Sequence, residues 1–181
     1  MKKHLSFSNV LFVIVILLLL YMPFRVWLIR QVSFSPTLEK VTSGKAIFNY
    51  DCELKGTNTT DVNFDAFKGK VIFLNYWATW CPPCVAELPY IQSFYNDYKD
   101  KVAFVFISKE KETVINSFFS EKGYDFPVYQ YKSTTIKDLP EISSIPRTFI
   151  IDKNGNIRVD KSGAADWNSK SFRKQIDDLL K

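Results

Sequence analysis

Hydrophobic and polar positions divide the chain into two unequal parts. Val10 to Met22 reads VLFVIVILLLLYM, an unbroken apolar run preceded by Lys2 and Lys3. With its weakly polar flank, Leu5 to Phe24 covers 20 residues, which at about 1.5 Å per residue reaches the ~30 Å of a hydrocarbon core. The run has no polar face, unlike a helix packed on one side of a soluble core. Bulky residues follow it (Pro23-Phe24-Arg25-Val26-Trp27) where a cleaved signal peptide needs small ones. The pattern therefore predicts an uncleaved single-pass anchor over residues 1–30, with 5–29 in the membrane. Residues 31–44 are mixed, contain Ser and Pro, show no period and read as a linker.

From residue 45 onward the pattern is that of a folded domain, 45–181. Ala46–Leu54 alternates as a strand does, and Asp61–Gly69 holds a turn-like piece. Lys70–Trp77 (KVIFLNYW) and Val102–Ser108 (VAFVFIS) are too continuously apolar for half-exposed strands and predict buried central ones. Pro82–Tyr98 has helical spacing, with Val85, Leu88, Ile91 and Phe94–Tyr95 on one face and Pro89 inside it, where a kink is expected. Glu112–Lys122 predicts a second helix, capped by Gly123. A short strand (Pro127–Tyr131) and a helical turn (Thr134–Leu139) follow. Arg147–Asp152 and Asn156–Lys161 form a hairpin through Lys153-Asn154-Gly155, whose Asn-Gly pair tolerates positive φ. Asn168–Leu180 closes the chain as an amphipathic helix. This order requires an α/β fold, a mixed sheet with helices on both faces.

Charge and composition narrow the functions. The net charge is +5, but Lys2, Lys3, Arg25 and Arg30 supply four positive charges and no acid within the first 30 residues, leaving 20 basic against 19 acidic side chains elsewhere. No basic run marks a folded surface, so a nucleic-acid footprint is not expected. Aromatic content is high, with 16 Phe, 9 Tyr and 4 Trp, as a large core requires. The sole histidine is His4, and the third cysteine, Cys52, stands alone in a predicted strand. A Cys/His zinc site or a Cys–His catalytic pair in the domain is thereby excluded, and Cys52 is expected to act as a buried small hydrophobe.

The remaining cysteines form Cys81-Pro82-Pro83-Cys84 at a strand-to-helix junction. At a helix N-terminus the free N–H groups and the dipole favour a thiolate, lowering the thiol pKa from about 8.5. Cys81 is thus the expected nucleophile, and Cys84, one turn on, the residue that resolves a mixed disulfide. Pro82 suits the first helical position. A static disulfide across so short a loop would stabilise little. Trp77 reads as core, whereas Trp80, beside Cys81, reads as a docking surface. Glu87 lies on the helix face of Cys84 and is either a solvated carboxylate or a proton acceptor. Ile145-Pro146 precedes a strand and on local grounds reads as a turn, since X-Pro bonds are mostly trans.

Asn75-Tyr76-Trp77-Ala78-Thr79-Trp80-Cys81-Pro82-Pro83-Cys84 with Glu87-Leu88-Pro89, then Ile145-Pro146-Arg147-Thr148-Phe149-Ile150-Ile151-Asp152-Lys153-Asn154-Gly155 and Gly163-Ala164-Ala165-Asp166-Trp167, resemble the thioredoxin-like reductases of the TlpA/ResA group. The likeness runs from about Phe64 to Lys181. It implies a thioredoxin-like fold and an extracytoplasmic bacterial domain on an N-terminal anchor. The implied chemistry is dithiol–disulfide exchange with protein substrates. It also implies that Pro146 is a cis-proline facing the cysteines, with the backbone before it, at Ile145, pairing with substrate. Glu87 falls on the group's acid/base position. Two departures stand out. Asn75 replaces the buried Asp of cytoplasmic thioredoxins, and Arg147 replaces a commoner Thr, which would bias substrates toward acidic peptides or depress a thiolate pKa further.

The expected activity is thus a thiol–disulfide oxidoreductase. It is read as a reductant of protein disulfides, as in cytochrome c maturation, with catalytic Cys81, Cys84 and Glu87. Substrate would meet Trp80, Pro82, Pro83, Ile145, Pro146 and Arg147. No cofactor beyond the redox-active Cys81–Cys84 disulfide and no metal is expected, and a membrane thiol carrier is expected to donate electrons. The chain is expected to act as a monomer at the cell membrane, its catalytic domain on the extracytoplasmic (periplasmic) side. A thiol peroxidase would need a Pro-x-x-x-Thr lead-in, whose Pro is missing. A metallochaperone would need a distal His, and a non-enzymatic assembly module would not need an intact C-x-x-C.

Overall fold

The structure, a computed structural model, describes residues 7–33, 35–37, 50–131 and 142–181. The apolar N-terminal run forms two helices instead of one. These are α1 (Phe7–Leu20) and α2 (Met22–Gln31), bent by 83° at Tyr21. Tyr21 is extended (φ −77°, ψ 112°). Pro23 has no N–H for the Leu19 carbonyl and its ring crowds that oxygen, so the helix breaks there. Among the described residues no single helix is long and apolar enough to cross a membrane; the bent pair is so by length and composition together. The single continuous helix expected over 5–29 is therefore corrected: the described residues form two helices broken at Tyr21. Of the expected linker, residues 34 and 38–44 lie outside the described residues. Ser35 and Pro36 meet the C-terminal helix, through Ser35 Oγ to Ser169 Oγ (2.6 Å) and Gln175 Nε2 donating to the Pro36 carbonyl (3.3 Å).

The first domain strand begins later than the alternation suggests. β1 spans Glu53–Gly56, Cys52 precedes it, and residues 46–49 lie outside the described residues. β2 is Val62–Asn63, followed by a 3₁₀ turn over Phe64–Phe67. The bend between β1 and β2 needs Gly56, because a Cβ there would lie 1.9 Å from the Thr59 carbonyl oxygen. β3 (Val71–Tyr76), α3 (Pro82–Tyr98), β4 (Val102–Ile107), α4 (Glu112–Lys122) and β5 (Val128–Tyr131) follow as the periodicity predicts. Gly123, at φ 72°, caps α4, and α3 continues as a helix through Pro89. β6 (Arg147–Ile151) and β7 (Ile157–Ser162) form the predicted hairpin. Asp152 Oδ1 accepts from the Asn154 and Asn156 amides at its turn. α5 (Lys170–Leu180) is capped by Ser169, whose Oγ accepts from the Phe172 amide. The expected helical turn at Thr134–Leu139 lies outside the described residues.

The strands form a mixed sheet in the order β2-β1-β5-β4-β3-β6-β7. β3, β4 and β5 run parallel, and β6 runs antiparallel to β3. Alternate residues of β3 and β4 serve two cores. Val71, Phe73, Val102, Phe104 and Phe106 pack under α3, α4 and α5, while Ile72, Leu74, Ala103 and Val105 face Leu54, Phe64 and Phe149. Helices on both faces were expected; all three described domain helices contribute to one core. Two right-handed crossovers in succession along β3, β4 and β5 put α3 and α4 on the same side. Cys52 is half-buried at the edge of the second core, not fully enclosed.

Candidate active site

The Cys81–Cys84 pair sits at the C-terminal end of β3, where parallel strands of an α/β sheet leave a crevice. Cys81 is the N-cap of α3 (φ −92°, ψ 105°) and its Sγ accepts from the Cys84 amide at 3.3 Å. Pro82 and Pro83 fill the first helical positions, where two missing N–H groups leave no bond unmade. The cysteines form a disulfide, with Cα atoms 5.2 Å apart. Both cysteines are buried in the main core, Cys81 at 3% exposure and Cys84 at 0%. Trp77 is enclosed by Phe118, Phe119 and Phe126, whereas Trp80 stands 67% exposed beside Cys81.

One turn beyond Cys84, Glu87 is 1% exposed. Oε1 accepts from Asn75 Nδ2 (2.9 Å), and Oε2 from Trp167 Nε1 (2.8 Å) and the Ala165 amide (3.3 Å). Asn75 Nδ2 also donates to Thr148 Oγ1 (2.7 Å), tying α3, β3 and β6 together. Desolvation pushes the Glu87 carboxyl up to about 8; the donors from Trp167, Asn75 and Ala165, and the Lys161 charge, oppose that rise. A solvated helix carboxylate is excluded by this burial. Its described hydrogen bonds run to Asn75, Ala165 and Trp167, not to a sulfur.

The Ile145-Pro146 bond is cis. Pro146 is buried and Ile145 packs against the core that contains both cysteines. The Gly163 amide donates to the Pro146 carbonyl at 3.0 Å, with Gly163 at φ 81°. Among the described residues no hydrogen bond engages the Ile145 backbone. Arg147 turns to β7, where its guanidinium pairs with Asp160 (2.5 and 2.7 Å) and lies 5.6 Å over the Phe149 ring. Its charge is thereby matched within the domain.

The α2 helix also reaches the site. Arg30 Nε donates to the Ala86 carbonyl (3.1 Å) and Nη2 to that of Val85 (3.5 Å). Pro89 has no N–H to offer the Val85 oxygen, so Arg30 supplies a donor that α3 lacks. Four other contributors were not assigned a role from sequence: Thr148, Ala165, Trp167 and Arg30. The first three lie in segments that resemble the TlpA/ResA group, which is the signal that marks them; Arg30 has none. Among the described residues no group of three or more His, Cys, Asp or Glu side chains is placed to hold a metal ion.

Comparison with known proteins agrees with this geometry. The family described as Redoxin matches residues 39–176. The chain is 33% identical over 162 residues to the thiol-disulfide oxidoreductase ResA of Bacillus cereus, covering 87% of each. It is 42% identical over 105 residues to ResA of Oceanobacillus iheyensis, covering 57% of this chain and 55% of that relative. A thiol:disulfide interchange protein DsbE from Chlorobium tepidum shares the fold at TM-score 0.64 and 24% identity, over 77% of this chain and all of the other. With a thioredoxin-like sheet, a C-x-x-C at the start of a helix and relatives of this kind, the chain belongs to the Redoxin family as a ResA-type, thioredoxin-like thiol–disulfide oxidoreductase.

Proposed function

We propose that the protein is a membrane-anchored, extracytoplasmic reductant of protein disulfides, acting in a process such as cytochrome c maturation. Its sole redox group is the Cys81–Cys84 pair. The observation that carries this reading is the pairing of a helix-capping Cys81, next to the exposed Trp80, with Cys84 one turn on and, one turn further, a buried Glu87 pushed up to about 8.

In the reduced protein the Cys81 thiolate attacks one sulfur of the substrate disulfide. A mixed disulfide forms and one substrate thiolate leaves. Cys84 gives up its proton and attacks Cys81 Sγ, releasing the second substrate thiolate and closing the Cys81–Cys84 disulfide. Two electrons pass to the substrate. Glu87 is the proton acceptor for Cys84: a carboxyl near 8 is partly ionised at neutral pH and takes up a proton at little cost. Substrate docks against Trp80, Pro82, Pro83, Ile145 and Pro146, and the unengaged Ile145 backbone supports pairing with an extended substrate strand. Arg147 contributes less than its charge suggests, being paired with Asp160. A membrane thiol carrier restores the dithiol. The apolar exposed α1 supports anchoring.

A Cys84→Ser variant tests the reading. Expressed in cells, it should accumulate protein partners disulfide-linked to Cys81 on non-reducing gels. Absence of any trapped partner contradicts protein-disulfide exchange through Cys81. A reporter enzyme active only outside the cytoplasm, fused after Lys181, should be active, and an inactive fusion contradicts the location.

A further inference from the structure

The loop that delivers Cys81 is held from outside its own motif. Thr79 donates twice to Glu110, from its amide to Oε2 at 2.7 Å and from Oγ1 to Oε1 at 2.6 Å. Both carboxylate oxygens are thus committed to a single loop residue two positions before Cys81. Glu110 follows the C-terminal end of β4, the parallel neighbour of β3, and is itself braced. Its amide donates to Ser108 Oγ (3.3 Å), that hydroxyl donates back to Oε2 (3.4 Å), and its carbonyl accepts from Gln130 Nε2. The loop turn closes through the Cys81 amide and the Ala78 carbonyl at 3.3 Å.

This loop carries an unusual surface. Among the described residues of the domain, Trp80 and Val114 are the exposed large apolar side chains, at 67% and 43%. Thr79 and Val114 line the same groove of about 410 Å³, with Ser117 and Phe118. An exposed indole next in sequence to a reactive cysteine, with a groove of mixed hydroxyl, carboxylate and apolar lining beside its loop, is a place for a partner's chain to rest. A docking surface works best when its shape is set before the partner arrives, because ordering a loop during association costs affinity. A small disulfide needs access to Cys81 Sγ alone and gains little from that surface.

We propose that Glu110 is a positioning residue that fixes the Thr79–Trp80 loop, so that Trp80 and the adjoining groove receive the polypeptide around the substrate's cysteine. The clasp sets a preference for protein disulfides over small ones. This rests on the reading above, that proteins are the substrates.

The test compares insulin, a polypeptide disulfide, with oxidised glutathione for full-length wild type and Glu110→Ala. Ala leaves the Thr79 N–H and hydroxyl without either carboxylate acceptor. The insulin-to-glutathione rate ratio should fall about tenfold, equivalent to ~1.4 kcal/mol, through KM for insulin more than kcat. Hydrogen exchange of the Thr79 amide should quicken in the same variant, and Thr79→Val, which loses one of the two bonds, should give a smaller fall in ratio. An unchanged ratio once the Thr79 amide is deprotected overturns the proposal, as does a Thr79 amide that stays protected without the Glu110 carboxylate. A wild-type protein that reduces glutathione but not insulin overturns the protein-substrate reading and this inference with it.

Discussion

Glu87 and Glu110 both accept N–H hydrogen bonds beside the turn that carries Cys81, Glu87 from inside the domain and Glu110 from its rim. Glu87 accepts three hydrogen bonds from two segments, one from Asn75 of β3 and two from Ala165 and Trp167 in the stretch before α5, at a site closed to water. Three donors do not offset the lost hydration, and the carboxyl is pushed up to about 8. Glu110 gives both oxygens to one loop residue in a half-buried place. The difference teaches that the number of donors does not decide what a carboxylate does. Burial does: it pushes the first up to about 8, while the second, half-buried, clasps the loop through Thr79.

The largest expected effect would come from the sulfur chemistry both carboxylates serve. Cys81→Ser should abolish turnover with any disulfide, and rapid-mixing alkylation near neutral pH should modify Cys81 of the reduced wild type before Cys84 or Cys52. Alkylation mapped first to Cys84 would reverse the assignment of nucleophile and resolving residue.

Glu87→Gln should come next, because it removes the inner carboxylate and keeps its size. Resolution of the mixed disulfide should slow, and the apparent thiol pKa values should fall once the neighbouring charge is gone. Stopped-flow traces and thiol titration read both. Stability should respond as well. With its folded pKa above the unfolded value, Glu87 stays protonated in the native state while the unfolded chain ionises. Wild-type stability therefore declines as pH rises from about 4.5 to about 8, by at most ~1.4 kcal/mol per pH unit from this group. Urea melts of Glu87→Gln across that window should show a flatter profile. An equally steep profile would remove Glu87 from the account of the decline.

A finer test is Trp167→Phe, which deletes one donor to Glu87 Oε2 while keeping a ring against Phe73 and Phe172. The loss should move the Glu87 carboxyl further up, since that bond holds it down. It should also cost about 1–3 kcal/mol of stability, read by denaturant midpoint and by carboxyl titration in the same sample. The smallest effect belongs to Arg30→Ala. It frees the Val85 and Ala86 carbonyls to water at the rim, and a loss of about 0.5–1.5 kcal/mol is expected in a melt of the full chain.

What could be read from the sequence follows the range of the interactions involved. The capping of α3 by Cys81, the Gly123 stop and the Asn154-Gly155 hairpin depend on neighbours within a few residues, and periodicity reports them. The cis geometry of Pro146 and the importance of Glu87 came from likeness to a group, because a partner such as Trp167 stands 80 residues from Glu87. The Glu110–Thr79 clasp spans 31 residues with no local pattern to announce it. Pro23 was visible, yet the apolar run around it outweighed its missing N–H and concealed the break at Tyr21. The burial of α3, α4 and α5 against one core follows from strand order, which no single segment encodes.

The central claim, that Cys81 and Cys84 act as a reductant, is tested most directly by their equilibrium reduction potential against glutathione. The predicted value lies below about −230 mV, on the reducing side of the glutaredoxins and toward thioredoxin. A value close to −120 mV, roughly that of a strong dithiol oxidant, would contradict it.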